Sequence, residues 1–192
     1  MRALAQIEQP GIMYLWQWQI GRIQHRLGHI DAAITNYERA LSSIAVVRSE
    51  LLLGGVSVFR DRVLPVYLEF IDILLQASED EAGRRQVLLG KVQGAIEDFN
   101  TTEVLDYFQS DCLLPRKWME LSDVPKNTAV IYPIALPDRL VVLTGMDGEF
   151  HQHMADVPEA SVRKVVRDFR EAIEDVGSEE EDYQEPAEQL YK

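Results

Sequence analysis

The sequence predicts a chain in two parts of different class, helical through about residue 114 and α/β from residue 115 onward. Three observations predict it. Apolar residues recur at helical spacing from Met13 to about Cys112. That period breaks after Pro115, where Pro, Asp, Lys and Asn accumulate. Short runs rich in Val, Ile and Leu then begin, at Ala129 to Ile134 and Leu140 to Thr144.

From Met13 to Ile44 the spacing predicts two helices folded into a hairpin at Gly28. The second helix is expected to start at Asp31, whose carboxylate would accept an orphan N–H, and to bury Ala33, Ile34, Tyr37, Ala40 and Leu41. The first is expected to bury Ile20. Val58 to Ala77 forms another helical stretch, with Val63, Tyr67, Phe70, Ile71, Leu74 and Leu75 on one face, and Pro65 fits only near its start. In residues 85 to 112, Leu88, Val92, Ala95, Ile96 and Phe99 make one stripe, continued by Leu105, Phe108 and Cys112.

Beyond residue 115, Pro137-Asp138-Arg139 separates the two apolar runs as a turn, so they read as a buried strand pair. Met146 to Glu149 is a second turn, and Phe150 to Met154 a third, weaker strand. Pro158 opens an amphipathic helix with Val162, Val165, Val166, Phe169 and Ile173 on one face, expected to pack on the sheet. Gly177 ends it, Ser178 to Glu185 reads as an acidic loop, and Glu188, Leu190 and Tyr191 begin a further amphipathic segment.

Composition excludes several classes of function. A formal net charge of −13 argues against nucleic-acid binding, which depends on clustered Lys and Arg, and disfavours anionic membrane surfaces. The charge is uneven: residues 1–75 balance seven acids against seven bases, whereas residues 129–192 carry fifteen acids and six bases. The single cysteine excludes an internal disulfide, and no Cys/His cluster has zinc spacing, so a cytoplasmic setting without cofactor or metal is expected. No signal peptide or apolar run of membrane-spanning length is present.

The hairpin resembles the tetratricopeptide repeat. Gly21, Gly28, Ala33, Tyr37 and Ala40 stand where that repeat places a small, a turn, a small, a large and a small residue. Close helix packing explains the pattern, with Tyr37 filling the space between repeats. The repeat's first-helix tryptophan is out of register, because Gln17 stands there between Trp16 and Trp18. Such arrays need about three units for stability, so an earlier unit is expected before residue 1; Ala3-Leu4 echoes Ala40-Leu41.

The order of motifs resembles the CHAT proteins, caspase-like peptidases attached to tetratricopeptide repeats and plentiful in filamentous cyanobacteria. Phe59 to Tyr67 with Asp72 to Leu75 looks like the family's segment between repeats and peptidase domain. Ala129-Val130-Ile131-Tyr132-Pro133-Ile134-Ala135-Leu136-Pro137-Asp138-Arg139-Leu140 resembles the opening strand, turn and second strand of the CHAT domain, and Glu185 to Tyr191 the start of a later helix. The resemblance implies a tetratricopeptide-like helical array over 1–114. It implies the N-terminal portion of a caspase-like α/β domain, cut short, over 115–192. In the family a histidine after a later strand and a cysteine after the next form the catalytic dyad. Neither motif lies in these residues, so the resemblance implies a protein-interaction and regulatory segment that is not itself an enzyme. The alternative is a truncated cysteine peptidase whose catalytic half lies beyond residue 192.

Cys112, the only thiol, precedes the first expected strand and suits a small core residue better than a nucleophile. His151 and His153 share a strand face but have no third ligand nearby, and read as exposed histidines rather than a metal site. His25 and His29 flank the hairpin turn, and Glu179 to Asp182 reads as a solvated acidic run. Trp18, Arg22 and His25 have the spacing of the concave face with which helical repeats hold a protein or peptide ligand, and are the expected partner-binding residues. Packing of Trp18 against a preceding repeat explains the same aromatic.

Overall fold

Gly28 sets the first corner of the chain. In the computed structural model it takes φ +75°, the left-handed conformation that ends helices at low cost for glycine. Its N–H donates to the His25 carbonyl at 2.9 Å, and the next N–H, of His29, donates to the Gln24 carbonyl at 2.9 Å. This paired pattern closes helix α1 (Pro10–Arg26) and lets α2 (Ile30–Leu52) fold back along it. The structure describes residues 10–52, 56–108, 121–175, 183–184 and 187–189. The chain divides into two compact units, Met1–Glu120 and Leu121–Lys192.

In the first unit, α1 and α2 pack through small residues. A Cβ on Gly21 would stand 2.8 Å from the Tyr37 ring, and Ala33 and Ala40 are fully buried. Ile34, Tyr37, Ile44 and Val47 complete the buried face of α2, while Leu41 is only half-buried. On α1 the inward residues are Tyr14 and Gly21, and Ile20 is 44% exposed, contrary to the sequence expectation. The cause is that α1 is apolar on two faces, and periodicity cannot choose between them. The missing side chain at Gly21 chooses, because only that face admits Tyr37.

A second hairpin follows, formed by α3 (Val56–Asp80) and α4 (Arg85–Phe108). All six α3 residues expected on one face are buried, and Val66, Ile73 and Ala77 join them. Each large side chain so covered contributes about 1.5–3 kcal/mol relative to exposure. Pro65 lies well inside α3 and not near its start, since the helix begins at Val56. It removes the amide donor to the Asp61 carbonyl, a loss outweighed by burial of Val63, Val66 and Tyr67 on either side. The hairpin is clipped by the Tyr67 hydroxyl, which donates to Asp98, and by the Tyr67 ring, 5.3 Å from that of Phe99. On α4, Leu88, Leu89, Val92 and Ala95 are buried; the expected boundary at residue 114 and Cys112 lie outside the described residues.

The two hairpins stack through α2 and α3, with the Tyr37 and Phe70 rings nearly parallel at 5.9 Å. Asp31 does not cap α2. It lies in the first turn, and its carboxylate accepts from Arg84 at 2.9 Å, where negative charge also suits the helix dipole. Among the described residues no helix is long and apolar enough to cross a membrane.

The second unit opens with a short 3-10 turn, Leu121–Asp123, that no sequence signal announced. Strands β1 (Ala129–Ala135), β2 (Leu140–Met146) and β3 (Glu149–Ala155) follow as an antiparallel meander in the order β1-β2-β3. Asp147 (φ 52°) and Gly148 (φ 84°) form the tight β2–β3 turn, the Asp-Gly pair favoured where both central residues are left-handed. The register sets Ile134 against Val141, and Gly145 against Phe150. Burial is one-sided: Ile134, Val141, Leu143, Gly145 and Phe150 are covered, together with Leu121 and Leu136. Ile131, on the opposite face, is 62% exposed. The continuous apolar runs therefore belong to a half-covered antiparallel sheet and not to a strand pair buried on both faces.

Helix α5 (Glu159–Glu174) begins where the Glu159 N–H donates to the Leu136 carbonyl at 3.0 Å. The expectation that its apolar face packs on the sheet holds only weakly. No residue of α5 is buried; Val162, Val165 and Phe169 are half-covered, and Val166 and Ile173 are exposed.

Candidate functional site

Glu69 of α3 gathers the residues singled out on α1. One of its carboxylate oxygens, Oε2, accepts from Trp18 Nε1 at 2.7 Å and from the Tyr37 hydroxyl at 2.7 Å. Arg22 Nε lies 3.4 Å from the same oxygen, and the Arg22 guanidinium carbon sits 5.2 Å above the Trp18 ring. The carboxylate thus ties α1, α2 and α3 at one point, and its charge strengthens each bond. The Tyr37 hydroxyl is held protonated far above the ordinary tyrosine range. Burial is the largest cause, followed by its hydrogen bond to Glu69 and the charge of that carboxylate; Arg22 opposes them.

Beside this anchor a cleft of about 160 Å³ is lined by Arg22, His25, Arg26, Tyr37, Glu69, Asp72 and Ile73. Helical spacing on α1 puts Arg22, His25 and Arg26 along one side, and one turn of α3 puts Glu69 and Asp72 opposite. Two of the three expected partner-binding residues, Arg22 and His25, line the cleft. Trp18 does not; it lies one turn away and holds Glu69 in place. Tyr37, Glu69 and Asp72 escaped sequence reasoning as members of the site. The Trp18–Glu69 bond joins residues 51 positions apart, and no local pattern encodes such a contact.

A second feature of α1 is its outer face. Ile12, Trp16, Ile20, Ile23 and Leu27, at i, i+4, i+8, i+11 and i+15, are exposed, Trp16 at 59% and Leu27 at 62%. Of the two tryptophans on α1, Trp16 is the exposed one and Trp18 is half-buried.

On the second unit, Ala129, Thr144, Met146, Asp147, Glu149, His151 and His153 line an open hollow of about 600 Å³ on the uncovered sheet face. Both histidines are exposed. Among the described residues no three His, Cys, Asp or Glu side chains are grouped to hold a metal ion. Glu179 to Asp182 lie outside the described residues.

Comparison with protein-family models, curated proteins and solved structures found no match.

Proposed function

We propose that this chain is the protein-interaction and regulatory segment of a CHAT-type caspase-like protein, working in the cytoplasm and carrying no catalytic residue of its own. In this reading the first unit is a tetratricopeptide-like array that captures a protein or peptide. The second is the leading part of a caspase-like α/β domain whose histidine and cysteine lie outside these residues. The carrying observation is the uncovered apolar stripe of four residues on α1, continued by Leu27 just past its end. Contiguous exposed apolar surface of this kind marks protein contact. The cleft of Arg22 and His25 adds polar selectivity beside it. A hairpin closed through the small residues Gly21, Ala33 and Ala40, stacked on a second hairpin through Tyr37 and Phe70, supports the repeat-like reading of the first unit.

The test is affinity capture with the whole chain, run beside variants Trp16→Glu with Ile23→Glu, and Arg22→Glu with His25→Glu, together with a peptidase assay under reducing conditions. Partners held by the parent chain and lost from either double variant support the reading. Identical capture by all three, or thiol-dependent hydrolysis of peptides by the chain alone, overturns it.

A further inference from the structure

His151 and His153 both lie on β3, two residues apart, so their side chains leave the same face of the sheet. The register confirms the face: His151 stands opposite Thr144, and His153 opposite Val142. That is the uncovered side, away from Val141, Leu143 and Phe150. The two imidazoles therefore project into the hollow of about 600 Å³ that they line with Thr144, Met146 and Glu149. The Glu149 carboxylate comes 4.0 Å from His151 Nε2.

Neighbouring side chains on one strand face start roughly 6.6–6.8 Å apart. Imidazole reaches far enough from each for a ring nitrogen to meet a shared ion at about 2.0–2.1 Å. Among the described residues no third protein ligand is in place, which suits ions that bind tightly through two nitrogens and complete their shell with water. By ligand type and the order of affinities for such donors, these are Cu²⁺ first, then Ni²⁺ and Zn²⁺. Mg²⁺ and Ca²⁺ need oxygen-rich shells and are not matched.

We propose that His151 and His153 form a two-imidazole chelate for a late first-row divalent ion on the open face of the sheet. The site is independent of the interaction reading above. It uses neither hairpin, and it stands or falls with β3.

The experiment is calorimetric titration of the whole chain, freed of any polyhistidine tag, with Cu²⁺, Ni²⁺ and Mg²⁺. It is repeated on His151→Ala, His153→Ala and the double variant His25→Ala with His29→Ala. Copper spectra report the number of nitrogen ligands. One equivalent of Cu²⁺ and Ni²⁺ should bind, with two imidazole nitrogens on copper and no Mg²⁺ binding. Losing a group that merely orients a ligand weakens metal sites about 10- to 100-fold. Losing one of two ligands should cost at least that, so each single variant on β3 should bind at least tenfold more weakly, and the α1–α2 variant as the parent does. Absence of binding in the parent chain, or parent-like affinity in His151→Ala or His153→Ala, overturns the proposal. So does a loss that follows His25 and His29. Both β3 histidines are exposed, and matching thermal melts establish that the variants remain folded.

Discussion

The ring of Tyr37 lies over Gly21 so closely that a methyl group there would stand 2.8 Å from Cδ2 and Cε2. In an open helix, replacing glycine by alanine gains roughly 0.5–1 kcal/mol. At Gly21 the ring has nowhere to retreat, being 1% exposed and stacked on Phe70. Overpacking costs typically 1–3 kcal/mol, and should win. Gly21→Ala is expected to lower stability by about 1–2 kcal/mol. Gly94→Ala, on α4 with nothing within 4 Å, is expected to raise it by about 0.5–1 kcal/mol. Denaturant melts of the two variants check the opposite signs.

Glu69 gives a second contrast. Glu69→Leu strands the Trp18 and Tyr37 donors in a partly buried site, and each unmade bond costs roughly 1–3 kcal/mol. Because both bonds are only part-buried, the lower part of the summed range applies, a loss of about 2–4 kcal/mol. Glu69→Gln keeps an acceptor oxygen and should lose about 1 kcal/mol or less, chiefly the attraction to Arg22. Near-equal losses in urea melts would mean that the carboxylate is not the junction described.

Alkaline pH should weaken the fold through its buried tyrosines. The folded-state pKa values of Tyr37 and Tyr14 are raised, both mainly by burial, while an unfolded tyrosine ionises near about 10. Above that pH the unfolded chain releases these protons first, so it gains free energy that the folded chain cannot. The contribution is present in full below about pH 10 and fades as pH climbs beyond it. Tyr37→Phe should flatten this decline in melts taken from pH 9 to 12, while lowering stability at neutral pH through the lost bond to Glu69.

The two apolar faces of α1 should differ sharply in their tolerance of substitution. Trp16→Glu and Ile23→Glu fall on exposed positions, where folding stability changes by roughly 0.5 kcal/mol at most. Tyr14→Ala removes a side chain only 2% exposed and should cost about 3–5 kcal/mol. Thermal melts separate the faces, and the outer pair should lose partner capture while the chain stays folded.

Periodicity and turn chemistry made most of the fold legible. Gly28, Pro137-Asp138 and Asp147-Gly148 mark corners that the backbone takes, and the α3 face from Val63 to Leu75 is buried as its spacing required. Where a helix has two apolar faces, as α1 does, or a strand carries an unbroken apolar run, as β2 does from Leu140 to Leu143, spacing is silent and packing decides. The candidate site was legible only on its own helix: Arg22 and His25 follow from α1 alone, whereas Glu69, which organises them, comes from α3 across a contact no local pattern carries. The tightness of Tyr37 on Gly21 was foreshadowed by the small-and-large alternation, but its hydroxyl partner was not.

Pro133 gives the sheet a handedness of growth. The Leu136 N–H bonds the Arg139 carbonyl at the hairpin end. Counting back along the alternating ladder puts the Pro133–Val142 pair at a position that exchanges no bonds, with the proline nitrogen turned outward. A newcomer strand laid along β1 would meet a missing donor midway, a shortfall of about 1 kcal/mol, and a ring in its path. β3 has an amide at every residue from Glu149 to Ala155 and no such interruption. Lateral extension of this sheet, by whatever chain supplies it, is therefore cheaper on the histidine-bearing border than on the proline-bearing one.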